Sequence, residues 1–269
     1  MGEPVMRVLV GTDLEGVAGV VAFESQAYSD GRYYDQAKRL LTAEINAAVE
    51  AMVEEGIDDI LVNDGHGPGA VWYEDLKPPA RLLHGRPLAS RQVRDAVEQD
   101  YDVCMMLGQH AMAGVATGNL NHTQSSKAIE YIKLNGKPIG EIAQFALYRG
   151  ASGIPLIFLS GDDAACREAE ELVPGITTVA VKQGLGRNSA ISLAQPVAHE
   201  RIREGIHKAI QSHRNAPLSP LQWPAPYVIE KRFFHTDMAD MAAAAADVER
   251  VDSLTVRFTS DDIQELIYR

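Results

Sequence analysis

Three short apolar runs in this 269-residue chain end in side chains that can bind a metal or move a proton. Met6–Thr12 runs into Asp13-Leu14-Glu15-Gly16, Asp59–Asp64 into Gly65-His66-Gly67, and Val103–Gly108 into Gln109-His110. Carboxylate oxygens and imidazole nitrogens suit zinc and similar divalent ions. Asp13 and Glu15 are two apart, so they would point the same way if the strand continued through them. Each piece also has an ordinary structural explanation. An aspartate after a strand commonly caps a helix. Asp64-Gly65 is a frequent turn dipeptide, His66 could stand in a solvated loop, and His110 could pack on the core. Three strand ends of this kind are harder to set aside together, because such ends converge in an open parallel sheet and ligands bind beyond them.

The elements around these residues predict that sheet. Continuous apolar runs without alternation suit strands buried on both faces. A fourth run, Ile154–Leu159, ends at Ser160-Gly161-Asp162-Asp163, and a fifth is Thr177–Val181. Between the first two, Ala37, Leu40, Leu41, Ile45, Ala48, Val49, Met52 and Val53 recur at spacings of three and four. That is the buried stripe of a helix over Asp35–Glu55, stopped at Gly56. Gly140–Tyr148, Ala164–Leu172 and Val197–Ser212 also read as helices. The expected fold is α/β, a mostly parallel open sheet with flanking helices. Prolines 217, 220, 224 and 226 break regular structure over Asn215–Pro226. Beyond them, Tyr227–Phe233 and Ser253–Thr259 read as strands, Met238–Ala246 and Asp261–Tyr268 as helices. The expected organisation is an α/β metal-binding domain over 1–214 and a smaller C-terminal α+β region over 215–269, available for assembly.

Composition narrows the function classes. The chain holds 25 Lys and Arg against 37 Asp and Glu, a net charge of −12. That argues against a nucleic-acid surface, which needs clustered basic residues, and against docking on anionic membrane. The longest apolar runs are far too short to span a bilayer. Met1–Val10 lacks the pattern of a secretory leader. Cys104 and Cys166 do not make a disulfide framework, and a cytoplasmic location is expected.

Five motifs occur in order: Thr12-Asp-Leu-Glu-Gly16, Val62-Asn-Asp-Gly-His66, Leu107-Gly-Gln-His-Ala111, Asn121-His-Thr123 and Asn135-Gly-Lys-Pro-Ile-Gly-Glu141. The ordered set, specific where no single motif is, resembles the zinc-dependent D-aminopeptidase family from about Val8 to about Gln183. The resemblance implies a two-zinc centre held by Asp13, Glu15, His66, His110 and Glu141, with Asp13 as the bridge. It implies His122 as the catalytic histidine, short peptides with a free N-terminus as substrates, and a homo-oligomeric closed ring, a decamer, around an inner chamber. Two divalent ions can hold one hydroxide and polarise one carbonyl. Glu141 would open its helix, where a carboxylate is also favoured by the helix dipole. His122 lies in a polar loop, where it could serve as proton donor or be an ordinary loop residue.

Two other readings fit parts of the chain. Val10–Gly16 and Leu159–Asp163 have the look of a magnesium-dependent, haloacid-dehalogenase-like phosphatase, although that class wants Asp at the position of Glu15 and leaves His66 and His110 unexplained. A non-catalytic metal-binding module would keep the five ligands but has no need of His122. The remaining histidines, at 84, 199, 207, 213 and 235, match no motif.

Overall fold

The computed structural model describes residues 6–269. The expectation about Met1–Val10 falls partly on residues 1–5, outside the described residues. In chain order the elements are β1 (Arg7–Thr12), α1 (Tyr34–Glu54), β2 (Asp59–Asp64), β3 (Arg81–Leu83), α2 (Arg91–Glu98), β4 (Val103–Gln109), β5 (Ile129–Leu134) and β6 (Lys137–Ile139). There follow α3 (Glu141–Ala151), β7 (Leu156–Asp162), α4 (Asp163–Leu172), β8 (Thr177–Gly186), β9 (Ser189–Ser192) and α5 (Gln195–Asn215). The chain closes with β10 (Tyr227–Phe233), α6 (Thr236–Ala242), β11 (Glu249–Arg250), β12 (Thr255–Ser260) and α7 (Ile263–Leu266).

The main sheet has the order β3-β2-β1-β4-β7-β8-β9. Its strands pair in parallel except for the antiparallel edge strand β9. Alternate residues leave opposite faces of each strand. Val8, Val10, Ile60, Val62, Met105 and Leu107 face one core, shared with Leu41, Ile45 and Met52 of α1 and Ile202 and Ile206 of α5. Leu9, Leu61, Cys104, Met106 and Leu159 face the other, shared with α3 and α4. Burial on both faces is why these strands read as unbroken apolar runs. Gly56 ends α1 at φ +79°, a left-handed stop.

A second, antiparallel sheet has the order β11-β12-β10-β5-β6. Helix α3 lies between the two sheets. Ile142, Phe145 and Ala146 pack on the main sheet, while Ala143, Leu147 and Tyr148 pack with Ile132, Ile229 and Phe258 of the second. A helix apolar all round is a buried helix, so its first residue, Glu141, starts from a fixed base.

The second sheet joins β5 and β6 to β10 and β12, so the expected boundary at 214/215 runs between strands of one sheet. The segment 216–226 is irregular but not loose, since Leu221 and Trp223 pack against the second core. Helix α6 stops at Ala242 rather than continuing to Ala246. Ala239 is its buried residue, and so short a helix propagates poorly without a face to bury. No helix among the described residues is long and apolar enough to cross a membrane.

Candidate metal centre

Strands β2, β1 and β4 are neighbours, and the chain moves from one side of β1 to the other between β3 and β4. That change of direction opens a crevice at the carboxyl ends of β1 and β4. The loops leaving these two strands are zipped together: Asp13 N–H donates to Leu107 O (2.9 Å) and Gly16 N–H to Gly108 O (2.7 Å). A Cβ on Gly16 would lie 2.0 Å from Gln109 O, and one on Gly108, which sits at φ +72°, 2.1 Å from Asp13 O. Only glycine permits this approach.

The structure brings Asp13, Glu15, His66, His110, His122 and Glu141 together. His66 Nδ1 is 3.2 Å from Asp13 Oδ1 and 3.1 Å from Glu15 Oε2. His110 Nε2 is 3.1 Å from Asp13 Oδ2 and 3.6 Å from Glu141 Oε1. His122 Nε2 is 3.7 Å from Glu141 Oε1. Asp13, Glu15 and His110 form one set of converging donor atoms; His110, His122 and Glu141 form another.

Each histidine is pinned through its other nitrogen to a backbone carbonyl. His66 Nε2 meets Ala27 O, His110 Nδ1 meets Ala111 O, and His122 Nδ1 meets Leu120 O, each at 2.9 Å. A carbonyl only accepts, so these nitrogens carry the protons. His66 Nδ1, His110 Nε2 and His122 Nε2 therefore face the carboxylates with their lone pairs in the neutral ring, the arrangement second-shell carbonyls give metal-binding histidines.

The charges do not settle among themselves. Burial disfavours charge on both His66 and His110. Glu15 and Asp13 nevertheless hold His66 well above its ordinary pKa, and Asp13 with Glu141 raises His110 to about 10. Burial opposes ionisation of Asp13, but His110 and His66 hold its carboxyl well below the usual range. Glu141 is pushed up to about 7 by burial and by Asp13, against the pull of His110. His122 falls to about 3 through burial and the neighbouring His110. Glu15 Oε2 and His110 Nε2 are buried without a hydrogen-bond partner, near opposite charges but off the bonding line. Buried atoms of this kind need an explanation. A divalent cation fits: the donors are the O and N types zinc takes, and Asp13, Glu15 and His110 bring theirs to one point.

The supporting residues include several the sequence did not single out. The Arg86 guanidinium donates to Asp64 O, His66 O and Gly67 O, clamping the His66 loop. Asp64 is not in the cluster; its carboxylate accepts from Ala70 and Val71 N–H and shapes the same loop. Lys182, 2% exposed, donates to Glu15 O, Val20 O and Asn119 Oδ1. Glu168 accepts from Met112 N–H at 2.9 Å, two residues past His110. Leu120 (φ 52°) and Gln124 (φ 63°) bracket His122 in the left-handed region, costly for such residues and sustained by their surroundings. Gln124 N–H donates to Glu141 Oε1 at 2.7 Å, so this strained loop fixes both side chains. The rings of His110 and His122 stack at 4.0 Å and 14°.

Two cavities meet at the cluster. A cleft of about 520 Å³ is lined by Asp13, Glu15, His66, His122 and Glu141, with Tyr28, Asp30 and Lys127 toward its mouth. A second cavity of about 250 Å³ also reaches Asp13 and Glu141, between walls that include Met106, Phe145 and Tyr148. The acidic run after β7 faces neither cavity. Asp162 caps α4, accepting from Ala165 N–H at 2.7 Å, and Asp163 accepts from Gly184 N–H and pairs with Arg167. This removes the second motif of the phosphatase reading. Cys104 and Cys166 are free and buried.

Comparison with known proteins agrees with this geometry. A family model described as D-aminopeptidase matches residues 6–269. A D-aminopeptidase of Bacillus subtilis (strain 168) is 28% identical over 263 residues, covering 97% of this chain and 93% of its own. A solved structure, the Zn-dependent D-aminopeptidase DppA from Bacillus subtilis, described as a self-compartmentalizing protease, superposes with a TM-score of 0.88. It is 26% identical, with 98% of this chain and 94% of that chain covered.

Proposed function

The chain belongs to the D-aminopeptidase family, and we propose that it is a zinc-dependent aminopeptidase removing the N-terminal residue, of D configuration, from short peptides. Asp13, Glu15, His66, His110 and Glu141 would hold two zinc ions. The observation that carries this reading is the convergence of carboxylates with imidazole nitrogens left free by backbone-pinned partners. Asp13 faces His66 through Oδ1 and His110 through Oδ2, so it stands between the two imidazoles.

Zinc, when bound, lowers the pKa of a water and polarises the scissile carbonyl. The chain's residues do the rest. Arg86 and Lys182 hold the loops of His66 and Glu15 so that little rearrangement accompanies the reaction. His122, neutral and pinned at Nδ1, takes the proton lost by the attacking water at Nε2 and passes it to the departing amine as the C–N bond breaks. It lines the wider cleft, so the leaving part of the peptide lies there.

The protein assembles into a closed ring of ten subunits with the active sites facing an inner chamber. Support comes from the relative described as self-compartmentalizing and from exposed apolar residues near the C-terminal end, Phe234, Met238, Met241 and Val251. A cytoplasmic location accords with two free cysteines.

The test is amino-acid release from paired D- and L-alanine peptides, with and without a chelator. Release from the D-peptide, lost on chelation and restored by zinc, is expected. Equal release from the L-peptide would refute the stereochemical part, and chelator-resistant release the metal part.

A further inference from the structure

A row of contacting rings, with buried Phe23 in its middle, links the cluster to Lys127 in the lining of the wider cleft. His122 meets the edge of Phe23 at 5.5 Å between centroids, Phe23 stacks on Tyr28 at 5.5 Å, and the Lys127 ammonium lies 3.7 Å from the centre of the Tyr28 ring. Tyr28 is fixed at its far end, its hydroxyl 3.1 Å from Ser126 Oγ. Lys127 is the only lysine or arginine among the described residues lining this cleft, whose other charged groups include the carboxylates of Asp13, Glu15, Asp30 and Glu141. No carboxylate among the described residues pairs with it; its ammonium rests on an aromatic face, desolvated on one side and open to the cleft on the other.

We infer that Lys127 binds the C-terminal carboxylate of the substrate, making this enzyme selective for tri- and tetrapeptides with a free C-terminus. The inference rests on the aminopeptidase reading and adds the other end of the substrate to it. His122 places the leaving amine in the wider cleft, so the remainder of the peptide runs past Tyr28 toward Lys127, both of which line that cleft. That row is on the order of 10 Å long, two or three extended residues at about 3.4 Å each. Lys127 is the one side-chain cation among the described residues of the cleft, so it gives the carboxylate end of the peptide a partner of opposite sign there. Arg94 lines the smaller cavity, which His122 does not reach, so it is the competing candidate.

The experiment uses the zinc-loaded, full-length enzyme with tri-D-alanine and its C-terminal amide, compared as the ratio of kcat/KM for acid over amide. Wild type is expected to favour the acid by about tenfold, the scale of one charge-assisted contact. Lys127→Met should bring the ratio to about one through KM, with kcat little moved; Lys127→Arg should restore it and Lys127→Glu should invert it. An unchanged ratio in Lys127→Met overturns the inference, as does a ratio that collapses in Arg94→Met instead. Hydrolysis of both peptides without discrimination by wild type overturns the inference and leaves the aminopeptidase reading standing. Hydrolysis of neither overturns that reading and the inference with it.

Discussion

Lys182 and Asp13 mark two buried polar clusters at the same end of the main sheet, and they are built on opposite terms. Lys182 has three N–H donors and three acceptors, Glu15 O, Val20 O and Asn119 Oδ1, each at hand. Its charge is enclosed by the chain itself. In the cluster of Asp13, three carboxylates and three histidines crowd together, yet Glu15 Oε2 and His110 Nε2 remain without partners. The first cluster is complete as folded, and its work is to hold the loop of Glu15. The second is complete only with something the chain does not supply. Burial of charge is therefore not what distinguishes a site from a structural knot; the convergence of unpaired atoms is, since Glu15 and His110 belong to one set of donor atoms whereas a lone unpaired oxygen such as Glu44 Oε2 does not.

The strongest way to break this contrast is to remove a donor from the open cluster. His66→Ala should lose zinc and activity together, by more than the roughly 10–100-fold in metal affinity typical of outer-shell partners, read by metal content and turnover on the same sample. His122→Ala sharpens the division within the cluster. It should keep its zinc while kcat and kcat/KM fall by about 10²–10⁴-fold, as for a positioned acid–base group. Near-wild-type turnover would make His122 an ordinary loop residue, and loss of zinc would move it among the ligands.

Stability measurements separate the clusters by sign. Lys182→Met leaves three buried acceptors without a donor, at about 1–3 kcal/mol for each one not rescued by water. Thermal unfolding of the metal-free protein should drop by several degrees, about 2–4 °C per kcal/mol. Glu141→Gln keeps the acceptor used by Gln124 N–H but removes one of three crowded carboxylates. Metal-free Glu141→Gln should therefore unfold within about 0.5 kcal/mol of wild type or slightly above it, while zinc no longer raises its Tm as it does that of wild type.

What the sequence made legible follows from what leaves a mark on residue type. The central strands are apolar on both faces, so β1, β2, β4 and β7 stood out, and their polar ends pointed to Asp13, Glu15, His66 and His110. The hairpin β5–β6 did not stand out. Glu130 and Lys133 interrupt its apolar pattern, and its partner β10 lies far along the chain. Helix α2 was missed because Val93 and Val97 are exposed and Glu98 is its buried residue. Arg86 and Lys182 were invisible for a different reason. All of Arg86's partners at the His66 loop and two of Lys182's three are backbone carbonyls, which every residue carries, so no complementary charge betrays them. The ring row from His122 to Lys127 joins segments a hundred residues apart and exists only once the sheet has formed.

The account stands most directly on the structure of the zinc-loaded protein, with zinc located by its anomalous scattering. It predicts two ions per chain, with Asp13, Glu15, His66, His110 and Glu141 each placing an oxygen or nitrogen about 2 Å from one of them and Asp13 touching both. Zinc bound elsewhere, or these side chains more than about 3 Å from any ion, would contradict it.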